Sequence, residues 1–154
     1  MIVSDSSPVI ALAHIGRLDL LGRVFDEVVI PEAVEEEITR HPDGFSGARP
    51  SWIRVQAVGS RVRVEALRGN LGRGETEAIA LAAELGAGLL IDDGPGRQAA
   101  TSLGLEIVGT LGALLRAKLA GVLPEVTPLL LQLRLTGFRV SQSLLEELRV
   151  RAGE

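Results

Sequence analysis

Four places along the chain set carboxylates near the end of a structural element: Asp5, the run Glu35-Glu36-Glu37, Glu75 with Glu77, and Asp92-Asp93. Two of them share one pattern. Met1-Ile2-Val3-Ser4-Asp5 and Leu89-Leu90-Ile91-Asp92-Asp93-Gly94 each run from a short apolar stretch into acid, and Arg97 follows the second about one helical turn on. Short apolar runs bounded by turn residues read as buried parallel strands, whose carboxyl ends are where open α/β sheets place their ligands. Four carboxylates gathered there without a counter-charge would repel and raise one another's pKa. A divalent cation resolves that repulsion. An all-oxygen set with neither Cys nor His suits Mg²⁺ or Mn²⁺ rather than zinc.

Each acid also has an ordinary role when read singly. Asp5 stands where it would cap a helix, and Glu75 is a helix-start acid facing the dipole. Glu35 to Glu37 form a first-turn face of which at most one member points inward. Asp92-Asp93 before Gly94 is also good turn chemistry. The combination and its placement carry the argument, not any single member.

The elements that must position these acids alternate. Strands are predicted at Ile2–Ser4, Glu27–Pro31, Trp52–Val55, Gly88–Ile91 and Leu105–Val108. Between them helices are predicted at Val9–Ile15, from Leu18 fading by Arg23, and at Pro31–Arg40, Arg61–Arg68, Glu75–Leu85 and Gly96–Leu103. Glu75–Leu85 is the clearest, with Ala78, Ile79, Ala82 and Leu85 on one face and Gly86 as its stop. His41 to Ser51, rich in Gly, Pro and Ser, reads as a loop. After residue 108 the chain is helical: Gly109–Ala120, then Val126–Leu135 and Ser141–Arg151. Alternation of this kind predicts a three-layer α/β/α sandwich around a central, mostly five-stranded parallel sheet with a helical C-terminus. In such a sheet, strand ends and helix starts share one edge, which brings Asp5, Asp93 and Glu75 together. Glu37 reaches that edge only if its helix is rotated suitably.

Composition narrows the alternatives. The chain has 154 residues, which suits a single domain (core 2–123, C-terminal helices 124–151). It is 46% hydrophobic but only 3% aromatic, so the core must be aliphatic. With no cysteine, disulfides, thiolate metal sites and a cysteine nucleophile are excluded, as fits a cytoplasmic setting. No secretory signal and no membrane-length apolar run is visible. The net charge of −4 does not by itself point to nucleic acid, although clustered acids around an ion would lower it without touching the outer surface. The two histidines, His14 and His41, lack the spacing of a metal pair, and no nucleophile-elbow pattern surrounds Ser6 or Ser7. Gly72-Arg73-Gly74 lacks the lysine and length of a P-loop. Strand one is not followed by the glycine pattern of dinucleotide folds.

At these residues the chain resembles the PIN-domain family, in particular the VapC-like prokaryotic subgroup of predicted nucleic-acid-binding PIN proteins. The matching pieces are Ile2-Val3-Ser4-Asp5-Ser6-Ser7-Pro8, Ile30-Pro31 through Glu36-Glu37-Ile38, Leu71 through Ile79 with Gly74-Glu75-Thr76-Glu77 at their centre, Leu89 through Asp93 with Arg97, and Gly104 through Gly112. They span Ile2 to Leu123. The resemblance implies a metal-dependent ribonuclease with about four acids. Asp5 matches the acid after the first strand, and Glu37, followed by Ile38, matches the second motif, with Glu36 as alternate. Glu75 matches the acid opening the long helix, and Asp93 the acid after strand four, with Asp92 as an additional ligand. Ser7 matches the small polar residue supporting the first acid. Two positions depart from the family pattern: Glu75 stands where many members have Asp, and Ile91 where a threonine is common.

The expected activity is hydrolysis of single-stranded RNA, with Mg²⁺ or Mn²⁺ held by Asp5, Glu37, Glu75 and Asp93, and Arg97 either on a substrate phosphate or paired with Asp92 or Asp93. The resemblance also implies a toxin neutralised by a cognate antitoxin, and a homodimer; the apolar stretches Leu129–Leu135 and Leu144–Leu148 would either cover the core or form a dimer face. The rival is a PIN-fold binding module without useful catalysis. A phosphoryl-accepting receiver domain is disfavoured, since it expects a lysine near the end of the last strand and Lys118, the only one, lies well beyond it.

Overall fold

Five short apolar runs pair into one sheet in the computed structural model, which describes residues 1–154. They are β1 (Ile2–Ser4), β2 (Val28–Ile30), β3 (Ile53–Val55), β4 (Gly88–Leu90) and β5 (Ile107–Val108), in the order β3-β2-β1-β4-β5 and all parallel. Val3 of β1 faces Val29 on one side and Leu89 on the other. These three residues are fully buried, as a sheet covered on both faces requires.

The helices follow in chain order: α1 (Ser6–His14) and α2 (Asp19–Phe25), α3 (Glu32–Arg40), α4 (Arg61–Leu67) and α5 (Arg73–Leu85), α6 (Gly94–Ser102), α7 (Thr110–Leu119), α8 (Thr127–Leu135) and α9 (Gln142–Ala152). They flank the sheet and complete the three-layer α/β/α architecture. Helix α1 packs on α3 and α7, while α5 packs on α3, α4 and α6. None is long and apolar enough to cross a membrane.

Several helices start or end away from the places predicted above. α1 begins at Ser6, two residues before Pro8, because the proline occupies a first-turn position whose N–H has no intrahelical partner. α6 begins at Gly94, since the Asp93 side chain accepts the Gly96 N–H at 2.8 Å and sets the N-cap there. α2 runs on to Phe25, whose burial outweighs the weak local pattern beyond Arg23.

The C-terminal pair covers the core. Leu129, Leu130 and Leu133 of α8 and Leu145 and Leu148 of α9 join the same continuous buried cluster as the sheet residues. Only Leu131 and Leu135 of this set are left exposed. The pair is closed by Glu154. Its Oε2 accepts the Val126 N–H at 2.7 Å, and its Oε1 accepts the Thr127 N–H at 3.0 Å and the Thr127 hydroxyl at 2.6 Å. Lys118 Nζ of α7 lies 3.4 Å away. Val126, at the N-cap of α8, has no side-chain oxygen of its own, so Glu154 does the capping. Desolvation alone would raise the Glu154 carboxyl, but these donors hold it down, from 4.5 to about 2.

That depression fixes a pH signature. The contribution of Glu154 is fully present above pH 4.5 and is lost as pH falls through about 2. Glu154→Ala should lower unfolding stability at neutral pH by about 1–2 kcal/mol, as for a lost N-cap. Urea melts should show the gap between wild type and Glu154→Gln closing below pH 4.5. A gap that persists unchanged would contradict the assignment.

Candidate active site

Parallel order around β1 decides which acids meet. The chain builds outward from β1 to β2 and β3, then returns to add β4 and β5 on the other side. The strand order therefore reverses between β1 and β4, the position where α/β sheets open a crevice at their carboxyl edge. Asp5 leaves β1 there, with its N–H on the Leu90 carbonyl at 2.9 Å, and Asp92 and Asp93 leave the β4 segment beside it. Asp5 is 3% exposed, Glu75, Asp92 and Asp93 are half-buried, and Glu37 is exposed, so the group opens to solvent on the Glu37 side.

The three glutamates of α3 have three separate destinations, as a turn of about 100° per residue requires. Glu35 pairs with Arg49, and Glu36 pairs with Arg73 at 2.8 Å. Glu37 turns toward α1, where it accepts the Ser6 hydroxyl at 2.5 Å. Of Glu36 and Glu37, it is therefore Glu37 that faces the other acids. Its carboxylate lies on the first turn of α5 at Gly74, where a Cβ would overlap it. Glycine at 74 is what lets α3 bring an acid that close.

Ser6, rather than Ser7, is the serine that touches an acid. Ser7 is exposed and its hydroxyl makes no such bond. Sequence spacing could not separate these neighbours, because the choice depends on where α1 starts.

Glu77 shows what a structural acid looks like in this fold. It is fully buried, yet Oε1 accepts the Ala33 N–H at 3.2 Å, and Oε2 meets Arg61 Nη1 at 3.2 Å and Arg73 Nε at 3.4 Å. Both oxygens are satisfied, so Glu77 ties the start of α3 to α5 and to Arg61 at the head of α4. Asp92 is also committed: Oδ1 accepts the Thr110 N–H at 2.8 Å and Oδ2 the Thr110 hydroxyl at 2.6 Å, at the N-terminus of α7. Asp93 caps α6 through Oδ2 alone.

Asp5 differs from all of these. It occupies the N-cap position of α1 but makes no side-chain cap bond, and its Oδ1 is buried without a hydrogen-bond partner. A buried orphan oxygen of this kind calls for a specific reason. Burial pushes the Asp5 carboxyl from 3.8 up to about 7, the adjacent Ser6 N–H opposes this, and the charges of Glu75, Glu37 and Asp92 add to it. Glu75 is raised as well, by burial, by the charge of Asp93, by a hydrogen bond shared with Asp93 and by the charge of Glu37, against a Gly72 backbone bond that lowers it. Asp5 thus feels Glu75, Glu37 and Asp92, Glu75 in turn feels Asp93 and Glu37, and the donor set is all oxygen. A hard divalent cation fits that set because it would satisfy the Asp5 oxygen and offset the repulsion. No three acidic or imidazole side chains already form a cage, however.

Arg97 pairs with neither Asp92 nor Asp93. Its Nη1 donates to the Ile91 carbonyl at 3.0 Å. A Cβ at Gly109 would come within 3.0 Å of both this nitrogen and Asp92 Oδ1, so the bare glycine makes room for both. Ile91 is fully buried, with its Cδ1 under Gly96, and supports the site from below by packing.

Over residues 1–154 the chain matches a family model described as a PIN domain. No curated protein and no solved structure matches it.

The raised Asp5 pKa has a direct consequence in metal-free buffer. The unfolded chain releases the Asp5 proton near pH 3.8 and the folded chain near 7, so stability is lost as pH rises between the two, by up to about 4 kcal/mol. Asp5→Asn should remove that slope and be more stable than wild type at pH 8 in chelator. Identical pH profiles in thermal melts would refute it.

Proposed function

The chain belongs to the PIN-domain family, and on that premise we propose that it is a metal-dependent ribonuclease, hydrolysing phosphodiester bonds in single-stranded RNA with Mg²⁺ or Mn²⁺ held by Asp5, Glu37, Glu75 and Asp93. PIN domains are nucleases in general, which gives the reaction class. One observation carries the finer reading: the buried, unpartnered Oδ1 of Asp5 set among acids that raise its pKa. A charge-poor structural role would have given that oxygen a donor, as Glu77 received three.

When bound, such an ion would polarise a water for attack and offset the negative charge that builds on the phosphoryl oxygens. The side chains divide the remaining work. Asp5 and Asp93 present oxygens from adjacent strand ends, Glu75 from the first turn of α5 and Glu37 from α3. Ser6 holds Glu37 in place through its hydroxyl. Asp92 is held by Thr110 and lies close enough to raise Asp5, so it shapes the field of the site. The N-termini of α1, α5, α6 and α7 gather at the same edge, and their partial positive charge favours an anionic substrate. Glu37, the exposed member, is where the acidic group opens to solvent.

The same reading takes a cognate antitoxin and a second copy of the chain as partners, on the strength of the family resemblance. It takes a cytoplasmic setting on the absence of cysteine. The specific observation that favours the rival, an inert PIN-fold binding module, is that no three of the acids already form a cage.

Cleavage of a labelled single-stranded RNA should require Mg²⁺ or Mn²⁺ and stop in chelator. Asp5→Asn and Asp93→Asn should each reduce it by more than the roughly 10–100-fold cost of losing an outer-shell partner, and Ser6→Ala by about that range. Full activity in both Asn variants with the fold intact would remove the mechanism. Calorimetric titration with Mn²⁺ separates the rival: heat of binding that disappears in Asp5→Asn supports the enzyme, and none in wild type supports the module.

A further inference from the structure

The ribonuclease reading uses nothing of α8 or α9, yet a large hollow on the molecule begins at the acids and runs away from them toward that pair. It is a groove of about 1400 Å³ between α1, α7, α9 and the turn joining α8 to α9. Ser7, Asp92 and Asp93 line its inner end, while Asp5, Glu37 and Glu75 lie beyond that rim. It follows α1 as far as His14, about 10 Å of helix.

The charges in this groove are unequal in a specific way. Its acids are all engaged: Asp43 meets His14 Nδ1 at 2.6 Å, Asp92 is held by Thr110, and Asp93 caps α6. Its arginines, apart from Arg116 on Glu106, have no carboxylate partner, although Arg97 donates to the Ile91 carbonyl. Eight of the 15 arginines have a carboxylate oxygen within 4.0 Å, and of the seven that do not, Arg97, Arg139 and Arg151 line this one groove. Arg139 and Arg151 are exposed, and both come from the C-terminal segment. Phe138, one of only three phenylalanines, lies half-buried on the same wall. Uncompensated guanidinium groups around a partly apolar floor with an aromatic ring are what a single strand of nucleic acid requires, since it offers phosphates outward and base faces inward. In a chain of net charge −4, local excess of this kind places a polyanion here rather than over the whole surface.

We propose that this groove is the track on which single-stranded RNA lies as it enters the acidic site, with Arg139 and Arg151 contacting its phosphates and Phe138 stacking a base. The inference rests on the ribonuclease reading for its choice of RNA. It assigns the α8–α9 pair, outside the cleavage chemistry, to substrate positioning.

The test is fluorescence anisotropy of a labelled single-stranded RNA on the full chain in chelator, so that binding is read without cleavage. The double variant Arg139→Ala/Arg151→Ala should bind at least tenfold more weakly. Its salt dependence should flatten by about 1.4 in log–log slope, near 0.7 for each phosphate no longer neutralised. Phe138→Leu, which keeps the apolar bulk, should weaken binding several-fold with the slope unchanged. Arg40→Ala/Arg63→Ala removes two other unpaired arginines, neither in the groove, and should bind as wild type does. Equal losses in the two arginine pairs would reduce the effect to net charge and overturn the track. So would a shift in oligomeric state with RNA binding intact, which would give the groove to a second copy. With added Mn²⁺ the two readings separate. Cleavage with an unchanged KM in Arg139→Ala/Arg151→Ala would defeat the track alone. Groove-dependent binding without any cleavage in wild type would defeat the ribonuclease alone.

Discussion

Negative charge crowded onto one edge of a parallel sheet is the constraint around which the molecule is arranged. Because β1 and β4 are neighbours, Asp5 and the Asp92-Asp93 pair must leave the sheet side by side. The fold relieves that crowding unevenly. Asp92 receives two donors from Thr110, Asp93 receives one from Gly96, and Asp5 Oδ1 receives none. Unfavourable energy thus falls most heavily on one buried oxygen, with a further share on Glu75. Concentration of this sort is how a marginally stable domain keeps a reactive site without losing its fold, since the surrounding aliphatic cluster over-determines the position of that oxygen.

The C-terminal segment shows how a local arrangement can extend a site beyond the helices that hold its chemistry. Leu130, Leu133, Leu145 and Leu148 anchor α8 and α9 in the shared core. That anchoring frees the turn between the helices, with Phe138 and Arg139, to stand as a wall opposite α1. Glu154, by taking the place of a missing cap on α8, ties the end of α9 to the start of α8 and to Lys118 of α7.

Much of this is legible in the sequence. Apolar runs ending in acid predict both β1–Asp5 and β4–Asp93, because a strand buried on both faces leaves little freedom to its sequence, and the α5 periodicity is equally plain. What cannot be read there is rotational or long-range. Whether Ser6 or Ser7 meets an acid depends on which residue begins α1, and that is settled by Pro8 sitting deeper in the first turn than expected. Whether Asp92 is free depends on Thr110, 18 residues on. The full satisfaction of Glu77 requires donors from α3, α4 and α5 at once, and no window of sequence contains all three. The extra length of α2 has the same origin, since Phe25 is drawn in by tertiary burial.

The run Glu35-Glu36-Glu37 repeats one residue type three times, yet its members are not interchangeable: one faces Arg49, one Arg73 and one Ser6. Identical letters here form a reading frame measured in degrees. Deleting or inserting one residue between Pro31 and Glu35 would leave the composition almost untouched while turning the rest of α3 by about 100°. Glu37 would swing off Gly74, and a residue of different chemistry would take its place. A change of length in the loop from His41 to Ser51 would leave that rotation of α3 untouched.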